Sequence, residues 1–461
     1  MEKKKKGEWY MKKKLLSVVL ALTMVVSLTA CGGNKANNSS NTGDAKATEE
    51  TKSTDDGGQA AGEAVTIKVF SNQTDRKTGQ GLIEQTLFDN YMKENPNVTI
   101  EVEALDDEAY KTKFKAYAAG SDMPDLVNAW GQPSFLNEVI DAGLLAELNN
   151  ADYADYGFIA GALDGFSKDG KLYGLPRNTD VMAFYYNKAL FEANGWSVPA
   201  TYEELLGLAD KIKGANLIPV SMDGGDKWPL SIYVHDLVAK LDGNTQEKIA
   251  TSVANGDFSD PSYLKAAQLL QDAVNAGLFQ SGFETTDYGT ALNLFANGQA
   301  AMFYMGSWEM SMATNQDVVP EVRDNIGVFT MPVPEGGKGK TTDIAAWNGG
   351  GYAVTANSKV KDEAVKLLNY MFKPDNWSKL AWENGVCMSA QDYSQYLTGK
   401  ETAPQKAFTD IVTGSTSITG VTLNDRGNSA FKTASEDLSQ QLAIGSKTPE
   451  EFTKELGEAT K

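Results

Sequence analysis

Of the eight tryptophans in the chain, Trp130 is followed by Gln132, Asp223 and Asp226 precede Trp228, Trp308 adjoins Glu309, and Trp347 adjoins Asn348. An indole offers a flat apolar face, and a planar amide or carboxylate can engage two hydrogen-bonding groups at once. Together they suit a guest with apolar ring faces and a rim of hydroxyls, which is the chemistry of a sugar. Tryptophan also fills cores, so packing is the competing reading for each indole. Polar and glycine neighbours place Trp308 and Trp347 in loops after strands, where a side chain is harder to bury.

Other chemistries have little to work with. His235 is the single histidine, so a His-rich zinc site is impossible and a Ser–His–Asp triad would rest on that residue alone. It stands in SIYVHDLVAKL, which reads as a helix, where a structural role is the simpler one. Cys31 and Cys387 are the only cysteines; no disulfide joins two cysteines of the body, and Cys387 reads as a small buried apolar residue. Asp180 and Glu309 are the carboxylates a glycoside hydrolase would draft, but nothing in the sequence sets their separation. Neither a cofactor motif nor a metal-ligand spacing is present.

The elements that must position these residues alternate. AVTIKVFSNQ has Val65, Ile67 and Val69 at strand period, with Asn72 and Gln73 where the strand ends. A helix through GLIEQTLFDNYMKENP, a strand at NVTIEVEAL, a helix at DEAYKTKFKAYAAGS and a short strand at PDLVNAW follow. This β-α-β-α-β order predicts a mostly parallel sheet covered by helices, with ligands beyond the strands' carboxyl ends. A second region of the same style runs from MAFYYNKALF onward. In it Thr201 and Glu204 have capping-box spacing, and Asp260 with Pro261 forms a helix start.

The chain has 461 residues, a formal charge of −19 and 41% hydrophobic residues, enough for two domains with full cores. The acidity argues against nucleic acid and leaves a cationic solute such as a polyamine as an alternative guest. From Met11, MKKKLLSVVLALTMVVSLTA has the charged, apolar and small-residue order of a signal peptide. MEKKKKGEWY before it reads as an upstream start-site extension. LTAC, ending at Cys31, resembles the lipobox of bacterial lipoproteins, which implies an extracytoplasmic body anchored to the cell membrane through a lipidated Cys31. Residues 32–63 contain no large apolar side chain and are predicted to be a disordered tether.

Four strings, in order, resemble the bacterial extracellular solute-binding proteins of sugar ABC importers, the maltodextrin-binding group (family 1). They are PDLVNAWGQPSFLNEVIDAGLLAELN, GKLYGLPRNTDVMAFYYNKALFEANGW, FANGQAAMFYMGSWEM and WNGGGYAVTANSKVKDEAVKLLNYMF. The resemblance implies a two-lobed α/β fold, with a solute cleft between lobes joined by crossover hinges. It also implies a monomer that docks on a permease. The chain would cross near Asn178–Asp180, return around Thr341–Gly349 and cross again after Gly385. The implied organisation is a signal peptide (1–30), a lipidated cysteine and tether (31–63), a first lobe (64–179 and 341–385) and a second lobe (180–340 and 386–461). Carried over by position, the solute contacts would be Phe70, Asn72, Gln73, Trp130, Gln132, Asp180, Trp228 and Trp308, with Arg177 and Asn178 sharing the role of Asp180. DRGNSAF (Asp425–Phe431) lacks the aromatic pair of maltodextrin binders, so Arg426 and Asn428 are expected to bond a smaller or differently shaped glycan. A surface ion pair is the plain alternative for Arg177 and Arg426.

Overall fold

The computed structural model describes residues 63–243 and 246–461. The expected signal peptide, Cys31 and nearly all of the expected tether lie outside these residues. Strand β1 (Val65–Ser71) buries Ile67 and Val69 and exposes Thr66 and Lys68, as its alternation predicts. Helix α1 (Gly79–Glu94), strand β2 (Val98–Ala104), helix α2 (Asp107–Ala118), strand β3 (Leu126–Trp130) and helix α3 (Pro133–Asp141) follow in the expected order. β1 pairs in parallel with both β2 and β3, so it is a central strand, and at its carboxyl end, Val69–Ser71, both faces are covered. Phe70 is therefore buried, its ring stacked on Tyr110 with centroids 4.1 Å apart. This corrects the expectation that Phe70 meets solute: the alternation gives way where both faces of the strand are packed.

After the short strand β4 (Leu175–Pro176), β5 (Thr179–Asn187) opens a second sheet. That region includes β6 (Ile218–Ser221), helix α4 (Trp228–Asp242), helix α5 (Tyr288–Ala296), β7 (Ala300–Gly306) and β8 (Ile326–Phe329) among further helices. The sheet order is β8-β5-β7-β6, antiparallel except between β6 and β7. Local signals hold here. Thr201 accepts from the Glu204 backbone N–H at 3.2 Å and Asp260 from that of Ser262 at 2.9 Å, each fixing a helix start.

The return crossing falls at the end of the expected Thr341–Gly349 span, so residues 341–348, expected in the first lobe, lie with the second. β9 (Asp343–Ile344) and β10 (Ala346–Asn348) stay with the second half, β10 lying antiparallel on β5 with Trp347 opposite Asp180. Only at Gly349 does the chain cross, and β11 (Gly350–Val354) joins the first sheet between β3 and β4. The third crossing follows Cys387: Cys387 belongs to the first core and Met388 to the second, whose carbonyl accepts from the Thr179 N–H at 2.9 Å. β12 (Ser417–Ile418), helix α6 (Ser429–Ala443) and the helices Ala403–Thr413 and Pro449–Ala459 also belong to the second half.

Each sheet has its own hydrophobic core, one around Phe70, Tyr110, Tyr352 and Trp377, the other around Phe184, Tyr233 and Tyr304. Two cores joined by three extended crossings make a two-lobed α/β protein. No helix among the described residues is long and apolar enough to cross a membrane.

Candidate functional site

Three groups of side chains converge where the lobes meet. On the first lobe, Asn72 follows β1 and its own N–H donates to Asn128 Oδ1 at 2.7 Å. Its side-chain amide donates to Asp107 at 3.1 Å and its Oδ1 accepts from Gln73 at 2.9 Å and Arg177 at 3.3 Å. Trp130 ends β3 half-buried, edge-on to Tyr110 and Phe135, with the Lys111 ammonium 5.5 Å from its ring centroid. Gln132 is buried at the N-cap position of α3.

The second group is the crossing itself. Arg177 donates through Nε to Asn178 Oδ1 at 3.2 Å and lies over the Tyr352 ring at 5.8 Å. Asn178 donates in turn to Asp180. The glycines of the neighbouring crossing make room for both charges. A Cβ on Gly349 would stand 1.9 Å from Asp180 Oδ2, and one on Gly350 would stand 2.8 Å from Arg177 Nη2. Burial pushes the Asp180 carboxyl up to about 7, against the pull of Arg177 and the Asn178 amide. Asn348 accepts from the Thr179 hydroxyl at 2.9 Å, linking the two crossings.

The third group is an aromatic cluster on the second lobe. Trp308 in it is half-buried, while Trp228 and Trp347 are buried in that lobe's core, Trp347 on strand β10 and not in the expected loop. Trp228 and Trp308 have centroids 6.0 Å apart, and Trp308 and Trp347 6.4 Å. The Trp308 indole N–H donates to the Tyr288 hydroxyl at 3.1 Å, which itself donates to Glu309. Burial raises the Glu309 carboxyl to about 7. Trp228 opens α4 from a tight turn: its N–H bonds the Asp226 carbonyl at 2.8 Å, and Lys227 between them has φ 68°. Behind the cluster, Asp223 Oδ1 accepts from the Asp226 N–H at 3.0 Å, while the buried Asp223 Oδ2 has no partner. Burial and the neighbouring Asp226 push the Asp223 carboxyl up.

The structure thus places Asn72, Gln73, Arg177, Asn178 and Asp180 in one bonded network and Trp228, Trp308, Glu309 and Trp347 in another. The β5–β10 pairing joins them. Trp130 and Gln132 stand on the first-lobe side. Arg426 donates to the Thr419 carbonyl at 2.7 Å inside the second lobe, and its charge acts on the buried His235. Asn428 caps α6, its Oδ1 accepting from the Phe431 N–H at 2.9 Å. His235 accepts the Leu423 N–H at Nδ1 (3.1 Å), which leaves Nε2–H to donate to Thr419 Oγ1 at 2.8 Å. It is a structural tie.

Sequence reasoning missed Asp107, Lys111 and Tyr288. Asp107 and Lys111 pair at 2.7 Å, one holding Asn72 and the other facing Trp130. An i,i+4 pair at a helix start looks like any solvated turn. Tyr288 had one usable signal, following the helix-capping Asp287, whose carboxylate accepts from the Thr290 N–H at 2.8 Å.

Comparison with known proteins agrees with this architecture. Residues 86–386 match the family model described as a bacterial extracellular solute-binding protein. The chain is 27% identical over 377 residues to the multiple sugar-binding protein of Streptococcus mutans, covering 79% of each. A protein solved in work on xylan utilization by the thermophilic bacterium Caldanaerobius polysaccharolyticus is 28% identical. It superposes with a TM-score of 0.77, covering 86% of this chain and 99% of that one. A chitin oligosaccharide binding protein shares the fold at 24% identity, TM-score 0.76, covering 87% and 98%. With the match spanning most of its length, this chain belongs to the bacterial extracellular solute-binding proteins.

Proposed function

We propose that the chain is the receptor of an ABC importer, closing its two lobes on a neutral mono- or oligosaccharide and delivering it to a membrane permease. It works as a monomer, tethered outside the cytoplasm through a lipidated Cys31, and it performs no catalysis. The lobes that close are the two sheets with the helices packed on them. The observation carrying this reading is the cluster of Trp228, Trp308 and Trp347 set beside the amide and carboxylate network of Asn72, Asn178 and Asp180. Indole faces stack on the apolar faces of pyranose rings, and the planar polar groups take up the hydroxyl rim. The relatives named for sugars support the same guest class. A ligand touching both lobes favours the closed state by its differential contacts alone.

The test is a thermal-shift screen of the tethered body with mono- and oligosaccharides of xylose, N-acetylglucosamine and galactose, and with spermidine. A binding sugar at 100 times its dissociation constant should add about 2.7 kcal/mol of stability. Stabilisation by spermidine alone would make the guest a cation, and glycans recovered shortened would make the protein an enzyme. Cys31→Ser should release the body from the membrane fraction.

A further inference from the structure

We propose that the segment Leu423–Lys432 of the second lobe is an end-stop, fastened to helix α3 of the first lobe, that closes the cleft beside Trp130 and limits the length of the bound glycan. The proposal deepens the carbohydrate reading and rests on it. Trp130 leans on Phe135 of α3, with ring centroids 5.1 Å apart. The same first turn of α3 carries Ser134, whose hydroxyl donates to Asp425 Oδ1 at 2.5 Å across the lobes. One turn further, Glu138 accepts the Ser429 backbone N–H at 3.1 Å. These are direct bonds between residues nearly three hundred positions apart in sequence, made beside the aromatic plate of the first lobe.

The segment is built to hold that position. Lys432 bridges Asp425 at 2.8 Å and Glu436 at 2.7 Å, and the buried Asn424 amide also donates to Glu436 at 2.9 Å. The Leu423 N–H is bound by His235, and Asn428 caps α6 at the point where the segment becomes helix. Charge complementarity runs across the gap. Burial alone would raise the Asp425 carboxyl, but Lys432, the Ser134 hydroxyl and Lys111 of the first lobe hold it below the usual range. Lys111 is the side chain over Trp130, so the closing contact and the aromatic plate share one ammonium group. A glycan lying on Trp130 meets this wall and must terminate there, so added rings at that end find no subsite.

The experiment measures affinity along homologous series, xylose to xylohexaose and N-acetylglucosamine to chitohexaose, for the wild type and for Ser134→Ala/Glu138→Ala. The double substitution removes the fastening from α3 while leaving the bonds within 423–432 intact. Small-angle scattering of both ligand-free proteins runs in parallel. Wild-type affinity should level off at a short chain length, and the variant should gain about tenfold for the longer members, or about 1.4 kcal/mol for the two lost bonds together. Affinity that climbs with every ring in the wild type, or a variant with the wild-type length profile, overturns the end-stop. If no glycan binds, the carbohydrate reading fails by itself and scattering decides the fastening. Expansion of the variant upholds it, and superimposable profiles refute it.

Discussion

Gly306→Ala tests the aromatic cluster without removing any part of it. Gly306 ends β7, and the Trp308 indole folds back over its Cα. An added Cβ would meet Trp308 Cζ3 at 2.1 Å, Cη2 at 2.2 Å and Cε3 at 2.4 Å. Carbon atoms sit comfortably at about 3.5 Å or more, so the ring must move by roughly 1.4 Å. The backbone does not object: φ −80° and ψ 166° suit alanine as well as glycine. The cost therefore falls on the indole. Overpacking of this kind removes about 1–3 kcal/mol of folding stability. The displaced ring also loses its 3.1 Å bond to Tyr288 and its edge contacts with Trp228 and Trp347. Losing an aligned aromatic contact of about 1 kcal/mol and a hydrogen bond of similar size predicts affinity down by about tenfold or more. The assay is titration calorimetry with whichever sugar gives the largest thermal shift, beside urea melts of the same samples. Trp308→Ala should weaken binding at least as much, and the double variant no more than Trp308→Ala alone. Wild-type affinity in Gly306→Ala, with stability lost, would make Trp308 a packing residue and remove the central support of the functional reading.

Two further predictions concern buried titrating groups. His235 is held neutral, burial and the nearby Arg426 charge depressing it from 6.5 to about 3. The unfolded chain binds that proton below about pH 6.5 and the folded chain does not, so the folded state loses about 2 kcal/mol between pH 7 and pH 5 on this account. Asp180, Glu309 and Asp236 are raised and pull the other way. The readout is thus the difference between wild type and His235→Asn in urea unfolding at the two pH values, and parallel curves would refute it. Asp223 has the opposite sign: its carboxyl is raised by burial and Asp226, so its contribution is complete below the unfolded value of 3.8 and fades as pH rises toward the folded one. Asp223→Asn should remove that loss, unfolding less readily than wild type with each step from pH 6 to pH 8, and an unchanged slope would contradict it.

The elements were legible because their signals are local. The alternation in Val65–Val69 and the caps at Thr201 and Asp260 are each written within a few residues, whereas the crossing near Asn178–Asp180 is implied by the family resemblance alone. The places where the sequence misled are those where a distant segment overrides the local pattern. Phe70 stands at a strand end in sequence, yet α2 brings Tyr110 over it. Trp347 sits on the second sheet because β10 finds β5, a pairing across more than 160 positions that no window of sequence contains.

The candidate site and the hinge are one piece of structure, and this follows from register. Asp180 and Trp347 face each other on β5 and β10, the strands on which the chain enters and leaves the second lobe. Arg177, two residues before β5, reaches Asn72 on the first lobe and packs against Gly350, the first residue beyond the other crossing. In the proposed closure, rotating the lobes moves the Asn72–Arg177 bond against the Asp180–Trp347 pair, and a guest bonded to both sides would read the hinge angle directly. The two glycines make this packing possible, since a Cβ at either would strike the charged group it shelters. On the proposed function a ligand here needs no relay to report its arrival, since the groups proposed to recognise it stand on the crossings themselves.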